Sequence, residues 1–233
     1  MCKSFLSTKI ALKKYVFLYN FIKTQMINIT KINKDLFSIK LNKEKITNHF
    51  VVLLKSIQEL SFFNKIINTL EIKINAISVE RLNSKLSYEL TLKMIYCLYL
   101  QQKQLEKLGY SFYSFHQEDI IIINNSYFIC INEKHICPVK NKCFSLQMPF
   151  SKDNYCSPEL IKVDTLPNNS INKLSFNYSF ALFIYFCLFG EKYREENNKL
   201  HNIINTNIYW FLKNNLIKDY NKRKIFMIYE ILC

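Results

Sequence analysis

The stretch that decides how this 233-residue chain is interpreted reads Tyr155-Cys156-Ser157-Pro158-Glu159-Leu160. Proline is tolerated in the first turn of a helix, because the amide hydrogen that it lacks has no helical partner there. The stretch therefore predicts a loop that enters a helix at Pro158. Because this local pattern is common, the elements on either side of it decide the fold.

The residues before this stretch predict a long helix followed by a β-hairpin. A helix of about twenty residues is expected from Ser87 to Gly109, a residue that stops helices. The apolar positions that recur there at helical spacing are Leu92, Ile95, Leu98, Leu105 and Leu108. Two β-rich runs follow, 119–123 and 127–131, and asparagines between them tolerate the left-handed backbone of a tight turn.

Two further helices are predicted after the Ser-Pro-Glu stretch. The first is strongly apolar and ends at Gly190, and the second extends from about Asn207 to Leu216. The next block ends in Asp219-Tyr220-Asn221-Lys222-Arg223, which contains one of only three arginines in the chain.

The first 90 or so residues have no glycine or proline to mark turns, so their elements are harder to place. Residues 36–41 alternate as in a strand, and 48–63 predict a helix with one apolar face. One or two more strands are expected between 69 and 79. The run around 13–22 favours an amphipathic helix, since no small-residue cleavage site follows it.

From about Ser87 to Arg223 this order of elements resembles the C-terminal lobe of a protein kinase. The apolar helix matches a family pattern in register at Ser179, Tyr185 and Gly190. Ser157-Pro158-Glu159 is similar to the family's Ala/Ser-Pro-Glu motif, and 219–223 is similar to its Asp-Pro-x-x-Arg motif. The resemblance implies a buried ion pair between Glu159 and Arg223.

The expected fold class is therefore α+β and protein kinase-like. Residues 89–233 are expected to form a mainly helical C-lobe with a short β-hairpin. Residues 1–88 are expected to form a reduced or degenerate region similar to an N-lobe.

The catalytic positions of the family are substituted in this chain. With Gly109 as the anchor, the family's catalytic aspartate falls on Ser114, and serine is not a general base near neutral pH. The magnesium-binding asparagine falls on Asp119, which remains a candidate metal ligand. The aspartate of the Asp-Phe-Gly motif falls on Asn132. Glu133 is a candidate replacement for the metal-binding carboxylate, and Glu118 or Asp119 is a candidate replacement for the catalytic base.

The nucleotide-binding positions are also weak. The first 108 residues contain no glycine, so a phosphate-covering loop of the usual kind is missing. Lys40 ends a segment similar to Val-Ala-Ile-Lys, and Glu59 lies where its ion-pair partner is expected. The alternative is that Lys40 is a surface charge at a strand end and that Glu59 lies on a solvated helix face.

The formal net charge of +14 is typical of proteins with an anionic partner. However, only three of the 32 basic residues are arginine, the residue that best recognises phosphate and guanine. We therefore favour a solvated lysine-rich surface over a nucleic-acid site. The eight cysteines lack paired metal-ligand spacing and are expected to be reduced thiols of a cytoplasmic protein. No transmembrane segment is predicted.

The function expected from this pattern is that of a catalytically impaired pseudokinase that acts as a scaffold or regulator. The sequence also resembles kinase-like proteins of large double-stranded DNA viruses, which implies host or viral partner proteins, including a kinase or its substrate. The expected location is then the host cytoplasm or the virion. An active but unorthodox Ser/Thr kinase that uses ATP and Mg²⁺ is the first alternative; otherwise no cofactor is assigned. A basic nucleic-acid-binding protein is the second.

Overall fold

The computed structural model describes residues 27–41, 46–68, 70–147, 150, 152, 155–196 and 198–223. The helix predicted around 13–22 lies outside these residues. Within the described part of the chain, no helix has the length and apolar character needed to cross a bilayer.

The described residues form ten strands and five α-helices, and all strand pairs are antiparallel. The strands are β1 (Ile27–Asn33), β2 (Leu36–Leu41), β3 (Lys65–Ile67), β4 (Glu71–Asn75), β5 (Val79–Arg81), β6 (Tyr110–Phe112), β7 (Ile120–Ile123), β8 (Tyr127–Cys130), β9 (Ile136–Lys140) and β10 (Cys143–Phe144). The helices are α1 (Asn48–Gln58), α2 (Tyr88–Lys107), α3 (Pro158–Ile161), α4 (Ser175–Phe189) and α5 (Asn207–Asn215). A mixed fold of helices and small antiparallel sheets is therefore confirmed.

Three sheets are present in the described residues, with strand orders β1-β2-β4-β3, β5-β7-β8 and β10-β9-β6. The strand predicted at 36–41 is confirmed as β2, and the region 69–79 contains β4 and the first residue of β5. Strand β5 pairs with β7, so one sheet joins residues on both sides of the expected domain boundary at 88.

Helix α1 is shorter than the sequence predicts. It begins after Thr47, whose hydroxyl accepts a hydrogen bond from the Phe50 amide at 3.1 Å, and it ends at Gln58 instead of Phe63. The apolar periodicity concealed this end because Leu60 stays buried after the chain leaves the helix. The Lys65 ammonium donates to the Leu60 carbonyl just beyond the helix end.

Helix α2 and the hairpin after it lie where the sequence predicts them. Ser87 caps α2 by accepting from the Leu90 amide at 3.2 Å, and Gly109 reverses the chain with a φ of 75°. Asn124 and Asn125 both have a φ of 52°, so the turn between β7 and β8 uses the left-handed backbone that asparagine tolerates. The pairing of β6 with β9 was not predicted.

Helix α4 lies at the centre of the second half of the described chain. Most of its residues are buried, and it ends at Gly190, which has a φ of 74°. Phe115 packs against three of its aromatic rings, Phe176, Phe180 and Phe183, with ring centroids 5.3 to 6.0 Å apart. This packing holds the loop after β6 against the core and so positions the residues that precede β7.

Candidate functional site

The Ser-Pro-Glu stretch begins α3 and places Glu159 beside Arg223. Ser157 caps this short helix by accepting from the Leu160 amide at 3.4 Å. The two guanidinium nitrogens Nη2 and Nη1 of Arg223 donate to Oε1 and Oε2 of Glu159 at 2.6 and 3.1 Å. The structure thus brings together the two residues that the sequence predicts as a pair.

This ion pair is buried and its remaining hydrogen-bonding groups are occupied. The Arg223 side chain is fully buried and the Glu159 side chain is 17% exposed. Arg223 also donates to backbone carbonyls, those of Leu174, Ile217 and Lys218, at 2.8 to 3.5 Å. Burial raises the pKa of Glu159, but hydrogen bonds from Arg223 and Ser157 and the charge of Arg223 outweigh it, so the pKa is lowered. The pair therefore clamps α3 to the last described segment.

A second polar cluster lies at the positions that the sequence assigns to catalysis. Ser114 follows β6, Asp119 closes a 3-10 turn before β7, and His135 closes another before β9. His135 Nδ1 lies 3.2 Å from the Ser114 hydroxyl, and His135 Nε2 lies 2.8 Å from Asp119 Oδ2. The Asn132 amide donates to Asp119 Oδ1 at 3.0 Å. Four side chains thus form one hydrogen-bonded chain.

Asp119 is the acidic group of this cluster. Burial raises the pKa of its carboxyl group, but hydrogen bonds from His135 and Asn132 and the nearby imidazoles outweigh burial, and the pKa is lowered. Each carboxylate oxygen accepts from one of these two side chains. The Asn132 carbonyl oxygen in turn accepts from the Lys134 amide at 3.0 Å.

Sequence reasoning singled out Ser114, Asp119 and Asn132 but did not place His135 with them. No local spacing reveals it, since His135 is 21 residues from Ser114 and 16 from Asp119. The pairing of β6 with β9 places His135 beside Ser114, and the Tyr113 amide donates to the His135 carbonyl at 2.9 Å. A prediction of that strand pair would have been the only signal.

The two residues that the sequence weakly assigns to nucleotide binding do not contact each other. Lys40 is exposed on β2 directly opposite Glu71 of β4, and Glu59 is exposed at the end of α1, where its charge acts on Lys65. The structure does not join Lys40 and Glu59 as an ion pair. This placement agrees with the alternative that both are surface charges.

The two proposed substitute carboxylates also differ in environment. Glu118 is exposed, whereas Glu133 accepts a hydrogen bond from the Thr47 hydroxyl at the start of α1. Across the part of the chain that the structure describes, no three His, Cys, Asp or Glu residues form a group that could hold a metal ion.

In comparisons with known proteins, the chain matches no family model and no curated protein.

Proposed function

We propose that this chain is a kinase-like protein that has lost phosphoryl transfer and acts by binding other proteins. The observation that carries the proposal is the contrast between its two polar clusters. The Glu159 and Arg223 ion pair is intact, while Ser114 and Asn132 stand where the resemblance expects catalytic and metal-binding aspartates.

The order of elements supports the kinase-like part of the proposal. Helix α2, the hairpin of β7 and β8, the short helix α3 and the apolar helix α4 follow one another as the resemblance implies. The contact between Glu159 and Arg223 joins segments 64 residues apart, and both residues were named from the motif alone. Because unpaired charges are expensive to bury, the fold depends on each of these two residues finding the other.

The chemistry of the second cluster supports the loss of transfer. In phosphoryl transfer a general base must accept the proton of the substrate hydroxyl. Ser114 carries a hydroxyl instead of a carboxylate and cannot act as that base. Asp119 has both oxygens hydrogen-bonded to neighbouring side chains, and the Asn132 amide group points its nitrogen toward Asp119. Lys40 lacks the glutamate partner expected of a lysine that holds nucleotide phosphates.

A chain that keeps the folded lobe without this chemistry is suited to act through its surface. We therefore propose that its partners are host or viral proteins, among them a kinase or its substrate. The proposed location of this binding is the host cytoplasm or the virion. The active-kinase alternative predicts ATP and Mg²⁺ as cofactors. No observation on the described residues favours it over the scaffold.

The test is incubation of the purified full chain with labelled ATP, Mg²⁺ or Mn²⁺ and generic protein substrates. We expect no transfer above the level of an Asp119→Ala control. Transfer that Asp119→Ala abolishes would establish the active-kinase alternative instead.

A thermal-shift measurement at millimolar Mg-ATP gives an independent reading. A ligand at a hundred times its dissociation constant stabilises the folded state by about 2.7 kcal/mol, so binding would be visible as a raised melting temperature. We expect no shift in the unmodified chain or in Lys40→Met. A shift that Lys40→Met removes would show that Lys40 holds a nucleotide after all.

A further inference from the structure

We propose that Ser114 is a nucleophilic serine that reacts with small activated acyl esters, with His135 as its general base and Asp119 as the residue that positions His135. The proposal concerns acyl transfer, so it does not rest on the kinase-like function. Its evidence is the hydrogen-bonded order of the three side chains.

The direction of each hydrogen bond follows from which groups can donate. The ionised Asp119 carboxylate only accepts, so His135 Nε2 must carry the hydrogen of the 2.8 Å contact. In a neutral imidazole the other nitrogen is then unprotonated, and Nδ1 accepts the Ser114 hydroxyl hydrogen across 3.2 Å. In this tautomer the Ser114 hydroxyl has an unprotonated imidazole nitrogen within hydrogen-bond distance, which is the arrangement that activates a serine.

The imidazole is held in this orientation from two sides. The Asn132 amide fixes the second oxygen of Asp119, and the Ile131 amide donates to the Asp119 carbonyl at 3.0 Å. On the other side, the Tyr113 amide donates to the His135 carbonyl at 2.9 Å. Since backbone pairing fixes both ends of the chain of hydrogen bonds, little reorganisation is needed before proton transfer.

The cluster is nearly buried, but each of its three residues keeps a small exposed area. Ser114 is 7% exposed, and the side chains of His135 and Asp119 are 11% and 14% exposed. Ser111, on β6, is 1% exposed and has the side chain of Gln102 and the carbonyl of Phe112 as partners, so it has no base. Ser111 is therefore the matched control for a buried serine without activation.

The reaction balances with an ester and water as the only reactants. Ser114 Oγ forms a bond to the acyl carbon while its proton passes to His135 Nδ1. The bond to the leaving oxygen breaks, and that oxygen takes the proton from His135. Water then attacks the acyl-serine, again giving its proton to His135, and the carboxylic acid leaves as the Ser114 hydroxyl re-forms.

The first experiment treats the full chain with a fluorophosphonate probe, which forms a phosphorus bond to an activated serine oxygen and releases fluoride. We expect one probe per chain, located on Ser114 by peptide mapping of the unmodified protein. His135→Ala and Asp119→Asn should label at least tenfold more slowly, with added imidazole restoring part of the rate in His135→Ala. Ser111→Ala should label at the original rate.

The second experiment compares hydrolysis of p-nitrophenyl acetate by the unmodified chain and by Ser114→Ala, since surface lysines react equally in both. We expect faster release of p-nitrophenolate from the unmodified chain. Circular dichroism checks that each variant folds; if Ser114→Ala does not, the peptide map still identifies the reactive residue. A folded, unmodified chain that carries no probe on Ser114 overturns the proposal, as does labelling that Asp119→Asn leaves unchanged.

Discussion

Arg223 holds Glu159 by two parallel hydrogen bonds, with Nη2 2.6 Å from Oε1 and Nη1 3.1 Å from Oε2. The guanidinium also lies over the Tyr178 ring, 4.8 Å from its centroid. A planar guanidinium meets a carboxylate in this two-point geometry better than any other cation, so lysine is not an equivalent substitute. One contact thus links the start of α3, helix α4 and the last described residue.

Replacing the carboxylate should reveal how much this contact stabilises the fold. Glu159→Gln leaves the fully buried Arg223 charge without its counter-ion, and we expect the free energy of unfolding to fall by about 3 to 5 kcal/mol. Urea denaturation followed by circular dichroism measures the change.

Glu195→Gln is the matched control, because Glu195 forms an ion pair with Lys218 at 2.7 Å in which both side chains are more than half exposed. It should leave the urea midpoint nearly unchanged. Equal midpoints for the two variants would show that the buried pair does not hold the fold together.

The same pair predicts a loss of stability in acid. The pKa of Glu159 is lower in the folded chain than its ordinary value of 4.5, because the effect of Arg223 outweighs burial. Its contribution is therefore fully present above about pH 4.5 and disappears as the pH falls through the folded pKa. The difference in urea midpoint between the unmodified chain and Glu159→Gln should shrink as the pH falls below about 4.5. A constant difference from pH 7 to pH 3 would contradict the assignment.

Gln101 makes a second contact that the sequence did not predict. It is completely buried in α2, and its amide group donates to the Cys130 carbonyl at 2.8 Å and accepts from the Cys130 amide at 2.9 Å. Gln101→Leu leaves the buried amide and carbonyl of Cys130 in β8 without these two hydrogen bonds. We expect about 2 kcal/mol of destabilisation, measured by urea denaturation.

Gln104→Leu serves as the control on the same helix, since Gln104 is partly exposed. It should change the unfolding free energy little. If both glutamine variants are equally stable, the hydrogen bonds to Cys130 contribute nothing net.

The positive charge predicts only weak and nonspecific attraction to nucleic acid. We expect retention of the chain on immobilised single-stranded RNA and on duplex DNA at low salt, and release from both near physiological salt. Fluorescence anisotropy over a salt series measures this. Tight binding to one form or one sequence at 0.15 M salt would favour the nucleic-acid function over the scaffold.

Prediction from sequence succeeded where the signal was local. The hairpin around Asn124 and the ends of α2 and α4 at glycines followed from residues that control the backbone within a turn or two. The end of α1 was predicted too late because burial of Leu60 continued the apolar pattern beyond the helix. The three-residue strand β6 is too short to show a period of its own.

The candidate site divides in the same way. The resemblance read from the sequence predicted that Glu159 and Arg223 form a pair and assigned Ser114, Asp119 and Asn132 to the substituted catalytic positions. Only the tertiary structure decided that His135 lies between Ser114 and Asp119, because that contact depends on the pairing of β6 with β9. Motifs record which side chains a site contains, whereas strand pairing over twenty or more residues sets which of them meet.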